Sequence, residues 1–188
     1  PIESTVRAGG DLKMGLGSNM TLDATVNPDF GQVEADPAVV NLSAFETTFE
    51  ERRPFFLEGS QLLKGTGPAY YYSRRIGAQT RILGAGKVTG RLQGGTSTGW
   101  LVALSDRDLS QNVPLEGYAV GRLQRQFGAN QSSAGLSLTG VARDLSPQAS
   151  LRESYRENAA SGGADWNLRF DRGQLELRGF AGGSYIGG

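Results

Sequence analysis

Apolar and polar side chains alternate along much of this chain, several runs extending over nine to fourteen residues, with the two-residue period of an extended strand. In residues 6–16, Val6, Ala8, Gly10, Leu12, Met14 and Leu16 share one face, and Arg7, Gly9, Asp11, Lys13 and Gly15 share the other. Residues 20–27 repeat the pattern, with Met20, Leu22, Ala24 and Val26 against Thr21, Asp23, Thr25 and Asn27. Gly17-Ser18-Asn19 between them predicts a hairpin turn.

The same period returns after a long interruption. Residues 80–93 set Ile82, Val88 and Leu92 opposite Arg81, Lys87, Thr89, Arg91 and Gln93, and residues 98–106 carry Trp100, Val102 and Leu104. The turn between these two runs is read at Gly94-Gly95-Thr96-Ser97. Residues 117–127 oppose Ala119, Leu123 and Phe127 to Arg122, Gln124 and Gln126, and residues 133–143 oppose Ala134, Leu136, Leu138 and Ala142 to Ser137, Thr139 and Arg143. Ala164, Trp166, Leu168 and Phe170 then face away from Asp165, Asn167, Arg169 and Asp171. After the turn Asp171-Arg172-Gly173, Leu175, Leu177, Ala181 and Tyr185 lie against Gln174, Glu176, Arg178 and Ser184. The count is about eight strands, which makes the fold class all-β and antiparallel.

Two features point from such a sheet to a membrane barrel. Runs of nine residues and more suit tilted membrane-spanning strands better than the usual strand of about 5–6 residues. The connections also alternate: 17–19 short, 28–79 long, 94–97 short, 107–116 longer, 128–132 short, 144–162 long, 171–173 short. Outer-membrane barrels have tight turns on one rim and long loops on the other. The expected architecture is therefore an up-and-down transmembrane β-barrel segment, a single region over 1–188 cut from a longer chain, with 28–79 inserted into it. Arg7, Asp11, Lys13, Asp23, Lys87, Arg91, Arg122, Arg169, Glu176 and Arg178 would face a polar, water-filled lumen. In a soluble sandwich the same residues would simply be the wetted surface. Trp100, Tyr118, Phe127, Trp166 and Tyr185 fall where interfacial aromatic girdles would lie.

Composition removes whole classes of chemistry. With no Cys and no His, the chain holds no thiol nucleophile, no Ser-His-Asp triad and no zinc site built on those ligands. Nineteen basic and 19 acidic residues cancel, which gives nucleic acid no electrostatic footprint. No apolar run reaches the length of a transmembrane helix. Glycine, 28 of 188 residues, is about twice its average usage and suits a strongly curved sheet.

The insert carries the remaining candidates. Ser43-Ala44-Phe45-Glu46 reads as a capping box and predicts a short helix over 44–52 that stops before Pro54. Phe45, Phe49, Phe55, Phe56 and Leu57 would let the insert fold as a plug in the lumen or as a cap on the rim. Its acidic residues Asp29, Glu34, Asp36, Glu46, Glu50, Glu51 and Glu58 could supply two facing carboxylates for glycoside hydrolysis, although capping and ion pairing explain the same residues. Asn27, Asp29, Glu34 and Asp36 could offer oxygen ligands to calcium, the only cofactor that this inventory suggests, without the spacing of an EF-hand. Tyr70-Tyr71-Tyr72 beside Arg74 and Arg75 could stack and hydrogen-bond a ligand such as a glycan, or could pack the insert against the wall. Gly84–Gly90 imitates a phosphate loop, but Val88 stands where Ser or Thr is needed and the segment alternates as a strand.

The insert also carries a resemblance. The run NPDFGQVEADPAVVNLSAFETTFEERRPFFLEG, followed by YYYSRRIG, resembles a family of bacterial outer-membrane β-barrel proteins of unknown function. In that family an N-terminal carbohydrate-binding module of the family-9 type precedes a large barrel. The likeness is best over residues 11–90 and implies the start of the barrel region. It further implies outer-membrane lipid as surroundings, glycans or other outer-membrane proteins as partners, and a porin-like or glycan-uptake role at the cell surface. A membrane-anchored binding or assembly module and a carbohydrate-active hydrolase are the alternatives. No catalytic residue is assigned.

Overall fold

The computed structural model describes residues 8–29, 48–65 and 70–188. They form one eight-stranded antiparallel sheet in which each strand pairs with its sequence neighbours, in the order β1 to β8. The strands are β1 Gly10–Leu16, β2 Met20–Val26, β3 Ile82–Leu92, β4 Thr96–Ser105, β5 Leu115–Phe127, β6 Ser132–Asp144, β7 Asn158–Phe170 and β8 Leu175–Gly187. The sheet is open: among the described residues β1 pairs only with β2, and β8 only with β7. These eight strands therefore do not close on themselves into a barrel.

An up-and-down meander puts the first, third, fifth and seventh connections at one end. Those are the short ones, and the long connections lie at the other end. The three-residue β3–β4 turn, Gln93 to Gly95, relies on Gly94 and Gly95, both at positive φ (75° and 76°), where a Cβ would be strained. Thr96 and Ser97, expected in that turn, instead open β4.

The sheet is inside-out by the standard of a water-soluble fold. One face is covered by the insert and buries Asp23, Thr25, Lys87, Thr89, Arg122 and Asp165 alongside Ala85, Leu101, Ala103 and Val120. The opposite, open face exposes Leu12, Met14, Val26, Trp100, Val102, Leu123, Leu136, Leu138, Leu175 and Leu177. Leu136 and Leu138 are each 60% exposed, whereas Lys87 is 1% exposed. On the open face the strand alternation leaves just two charged residues, Arg125 and Asp144, each within two residues of a strand end. Soluble monomers seldom expose apolar patches beyond a few hundred Å².

Glycines on the open face seat the large rings. Trp100 pairs across with Gly121 and Trp166 with Gly179, and a Cβ on Gly121 would lie 2.5 Å from a Trp100 ring carbon. Gly121→Val is expected to destabilise the fold by about 1–3 kcal/mol through overpacking. Adding Trp100→Ala should return part of that loss in a thermal melt of the detergent-solubilised protein; an unchanged melting temperature for Gly121→Val would refute the packing argument.

Several expectations are corrected. β7 begins at Asn158 rather than Ala164, because Ala159, Ala160, Gly162 and Gly163 give no apolar alternation yet pair along β6. Ile82 lies on the covered side, in the core with Phe56, Leu63 and Ile76, because a register shift between Ile82 and Gly84 turns its side chain over. Tyr118 shares the covered face with Val120 and packs against that core, so it belongs to no outer girdle, and Trp100 sits mid-strand. The helix expected over 44–52 is absent from its described part, 48–52. A four-residue helix, α1 Pro54–Leu57, starts where that helix was to stop, since Pro fits the first turn that needs no N–H partner. The capping box itself lies outside the described residues. A second helix, α2 Ala149–Ser154, sits in the β6–β7 connection around the fully buried Leu151.

Candidate functional site

Charge, burial and concavity meet where the insert lies upon the covered face. Four ionic groups lie within the insert, between it and the sheet, or on the sheet beside it. The Arg53 guanidinium chelates the Glu51 carboxylate (2.8 and 2.9 Å), donates to the carbonyls of Ser73 and Ile76 (2.7 Å each), and lies 4.2 Å from the Phe56 ring centroid. It thus ties the outgoing half of the insert to its returning arm, residues 70–79. Lys87 donates to the carbonyls of Phe55 and Glu58 (2.6 Å each), with Asp23 at 3.6 Å as its counter-ion. Lys13 closes the cluster with a 2.7 Å bond to Glu58.

The third crosses the sheet. Arg122 on β5 reaches over β6 to bind Asp165 on β7 through two hydrogen bonds, 2.6 and 3.0 Å, and also donates to Ser137 and Gln124. That reach needs Gly135 beneath it, where a Cβ would stand 2.5 Å from a guanidinium nitrogen. Gly65 of the insert closes it from above, where a Cβ would stand 2.9 Å from the other nitrogen. The pair is a buried plate between wall and insert, with side chains 1% and 5% exposed.

The fourth lies toward the long-loop end. Arg143 binds Glu116 at 2.6 Å, Glu116 also accepts from the Tyr118 hydroxyl, and Arg143 sits 5.7 Å from the Tyr155 ring centroid. Between arm 70–79 and strands β5 to β8 the molecule leaves a cavity of about 510 Å³. Its floor carries the Thr139 and Ser161 hydroxyls, 2.7 Å apart, and its walls carry tyrosine rings.

Nine of the ten residues expected to share one polar face fall within the described strands. Cross-strand pairs such as Lys13↔Asp23, Asp23↔Lys87 and Arg169↔Glu176 place them on the covered side. Arg7 lies outside the described residues. Most of the nine are mutually paired instead of lining open space: Lys13, Asp23 and Lys87 form one cluster, and Glu176 holds Arg169 (3.1 Å) and Arg178 (2.8 Å). Asp11 and Arg91 are exposed.

Among the insert candidates, Tyr71 and Arg75 reach the cavity wall, Arg74 sits beside them in a 3₁₀ turn without lining it, and Asp29 is exposed beyond β2. Glu34, Asp36 and Glu46 lie outside the described residues. Asn27, offered as a calcium ligand, donates its side-chain amide to the Ala8 carbonyl (2.7 Å). Among the described residues no three acidic groups gather as a metal site would require. Glu51 and Glu58, offered as hydrolytic carboxylates, are both held by cations. Asp165, Gly65, Gly135 and the Glu116–Arg143–Tyr155 group went unselected from sequence, because each matters only through a partner fixed by sheet register.

Glu51 makes the fastening pH-dependent. Burial alone would raise its carboxyl, but hydrogen bonds from Arg53 and Ser73 and the guanidinium charge outweigh it and hold the group below the ordinary glutamate range. A carboxyl held low when folded contributes stability above its unfolded pKa, about 4.3, and loses that contribution as pH falls through the folded value. Cleavage within 48–65 by an acid protease is therefore expected to rise between about pH 5 and pH 3. Glu51→Gln should be cut readily across that window, and equal cleavage of the native chain at both ends of it would refute the role given to Glu51.

Residues 2–83 match the model of a domain family described as a domain of unknown function, DUF5916. The match spans β1, β2, the insert and the start of β3, largely the stretch on which the family resemblance rests. No curated protein and no solved structure matches the chain.

Proposed function

We propose that this sheet is a portion of the wall of an outer-membrane β-barrel, with the open face toward lipid, the covered face toward the lumen, and the insert 28–79 as a plug inside it. The observation that carries the reading is the inverted polarity: Leu136 and Leu138 at 60% exposure opposite Lys87 and Arg122 at 1% and 2%. In water that arrangement leaves large apolar side chains wetted, at about 1.5–3 kcal/mol for each one left unburied. In a bilayer the same surface is solvated by hydrocarbon, and a polar interior is the rule for such barrels. Confinement of open-face charge to Arg125 and Asp144, near strand ends, fits side chains that reach the polar interface.

The role is porin-like or related to glycan uptake, with no catalysis by the chain. Solutes would pass on the β5–β8 side of the plug, where the cavity lies, because on the β1–β5 side Lys13 and Lys87 bind the insert to the wall, Arg53 braces it internally and Gly65 packs against Arg122. That clamping also favours a second reading, a sealed barrel that anchors a surface binding or assembly module. Planar-bilayer recording of the purified full-length protein separates the two. The transport reading expects discrete ion-conducting steps that grow in Arg53→Ala; a silent bilayer with correctly folded protein would leave the anchor.

A further inference from the structure

We infer that the cavity between arm 70–79 and the covered face of β5 to β7 is a binding site for a short neutral saccharide. The inference rests on reading the covered face as a water-filled lumen. At about 510 Å³ the cavity falls within the usual range for small-ligand sites, roughly 300–1,000 Å³.

The lining decides the ligand class. Tyr70, Tyr118 and Tyr155 bring three rings to one cavity, and aromatic faces stack well on the C–H face of a pyranose. Opposite them stand groups that both donate and accept: Thr139 and Ser161 on the floor, Gln79 on the arm, and the Glu116–Arg143 pair at the end. A polyol can use both kinds of partner, through the donor and acceptor capacity that these groups keep beyond their bonds to one another.

Charge narrows it further. Of the two guanidinium groups that line the site, Arg143 is neutralised by Glu116 at 2.6 Å, and Arg75 is not free of partners either, so the lining favours an uncharged ligand over an acidic one. The recognising groups are also held in place in advance. The Tyr155 hydroxyl donates to Gln79 Oε1 (3.1 Å), joining the β6–β7 connection to the arm, and Arg143 packs over the same ring. A ring fixed on both sides gives up little freedom on stacking a sugar.

Titration calorimetry on the full-length protein in detergent, with maltotriose, cellotriose, triacetylchitotriose and trigalacturonate as probes, tests this. At least one neutral trisaccharide should bind, trigalacturonate at least tenfold more weakly. Tyr155→Ala should lose at least tenfold in affinity and Gln79→Ala several-fold, while Tyr155→Phe, which keeps the ring but gives up its bond to Gln79, should lose no more than Gln79→Ala. The inference is overturned if no neutral trisaccharide binds, if trigalacturonate binds as tightly, or if Tyr155→Ala and Gln79→Ala both leave affinity unchanged. Membrane residence is read separately, from fractionation. Protein that resides in the outer membrane and binds nothing defeats the site alone, and soluble protein that binds a neutral trisaccharide defeats the barrel alone.

Discussion

Leu138→Arg is expected to remove most of the folded protein from the outer membrane. Leu138 stands at the centre of β6, on the open face, between Gly121 and Gly162 on the neighbouring strands. If that face meets hydrocarbon, an arginine near the bilayer midplane costs about 2–4 kcal/mol, and Leu136→Arg two residues away adds a similar amount. Since whole domains are stable by only about 5–15 kcal/mol, the double variant should fail to assemble. If the face meets water, either change is a surface substitution worth within about 0.5 kcal/mol and improves solubility. The two solvents thus predict opposite results from one residue. The readout is the amount of outer-membrane protein that migrates anomalously when unboiled.

Arg122→Ala is expected to cost about 3–5 kcal/mol, because it strands the Asp165 carboxylate in a site closed by Gly65 above and Gly135 below. Asp165→Ala should cost as much, for the mirrored reason. Removing both together, as Arg122→Met with Asp165→Leu, should cost clearly less than the sum, since buried pairs replaced by apolar groups are often near neutral. Denaturant unfolding from detergent micelles gives the three values. Additive losses would mean that the pair is not coupled across β6 as described.

The alternation that marks the strands is a local property, which is why seven of the eight could be placed close to their observed bounds from residues a few positions apart. Failures came where small or irregular residues hide the period. Ala159–Gly163 offers only Ala, Ser and Gly to an apolar pattern, and a single bulge beside Leu83 turned Ile82 from one face to the other. Tyr118 was legible and misplaced: it stands two residues from Val120 and four from Arg122, hence on their face, yet proximity to a strand end had suggested a girdle. The insert was the least legible part. Its position is written in side-chain to main-chain bonds such as Arg53 to Ile76, 23 residues apart, and Lys87 to Phe55, 32 apart. No spacing rule announces such contacts. The sequence left the insert as plug or cap; in the structure Lys87 binds its Phe55 and Glu58 carbonyls and Gly59 packs close to Thr89, which sets the described part against the face of the sheet.

The polarity of the sheet is the centre of this account, and cell fractionation of the full-length protein tests it most directly. Membranes are separated, the outer-membrane fraction is extracted with detergent, and boiled and unboiled samples are run side by side. Recovery in the outer membrane with a shift on boiling is the predicted result. Full-length protein that stays in solution without detergent and migrates identically in both samples would contradict it, because the leucine-rich face would then have to be covered by something other than lipid.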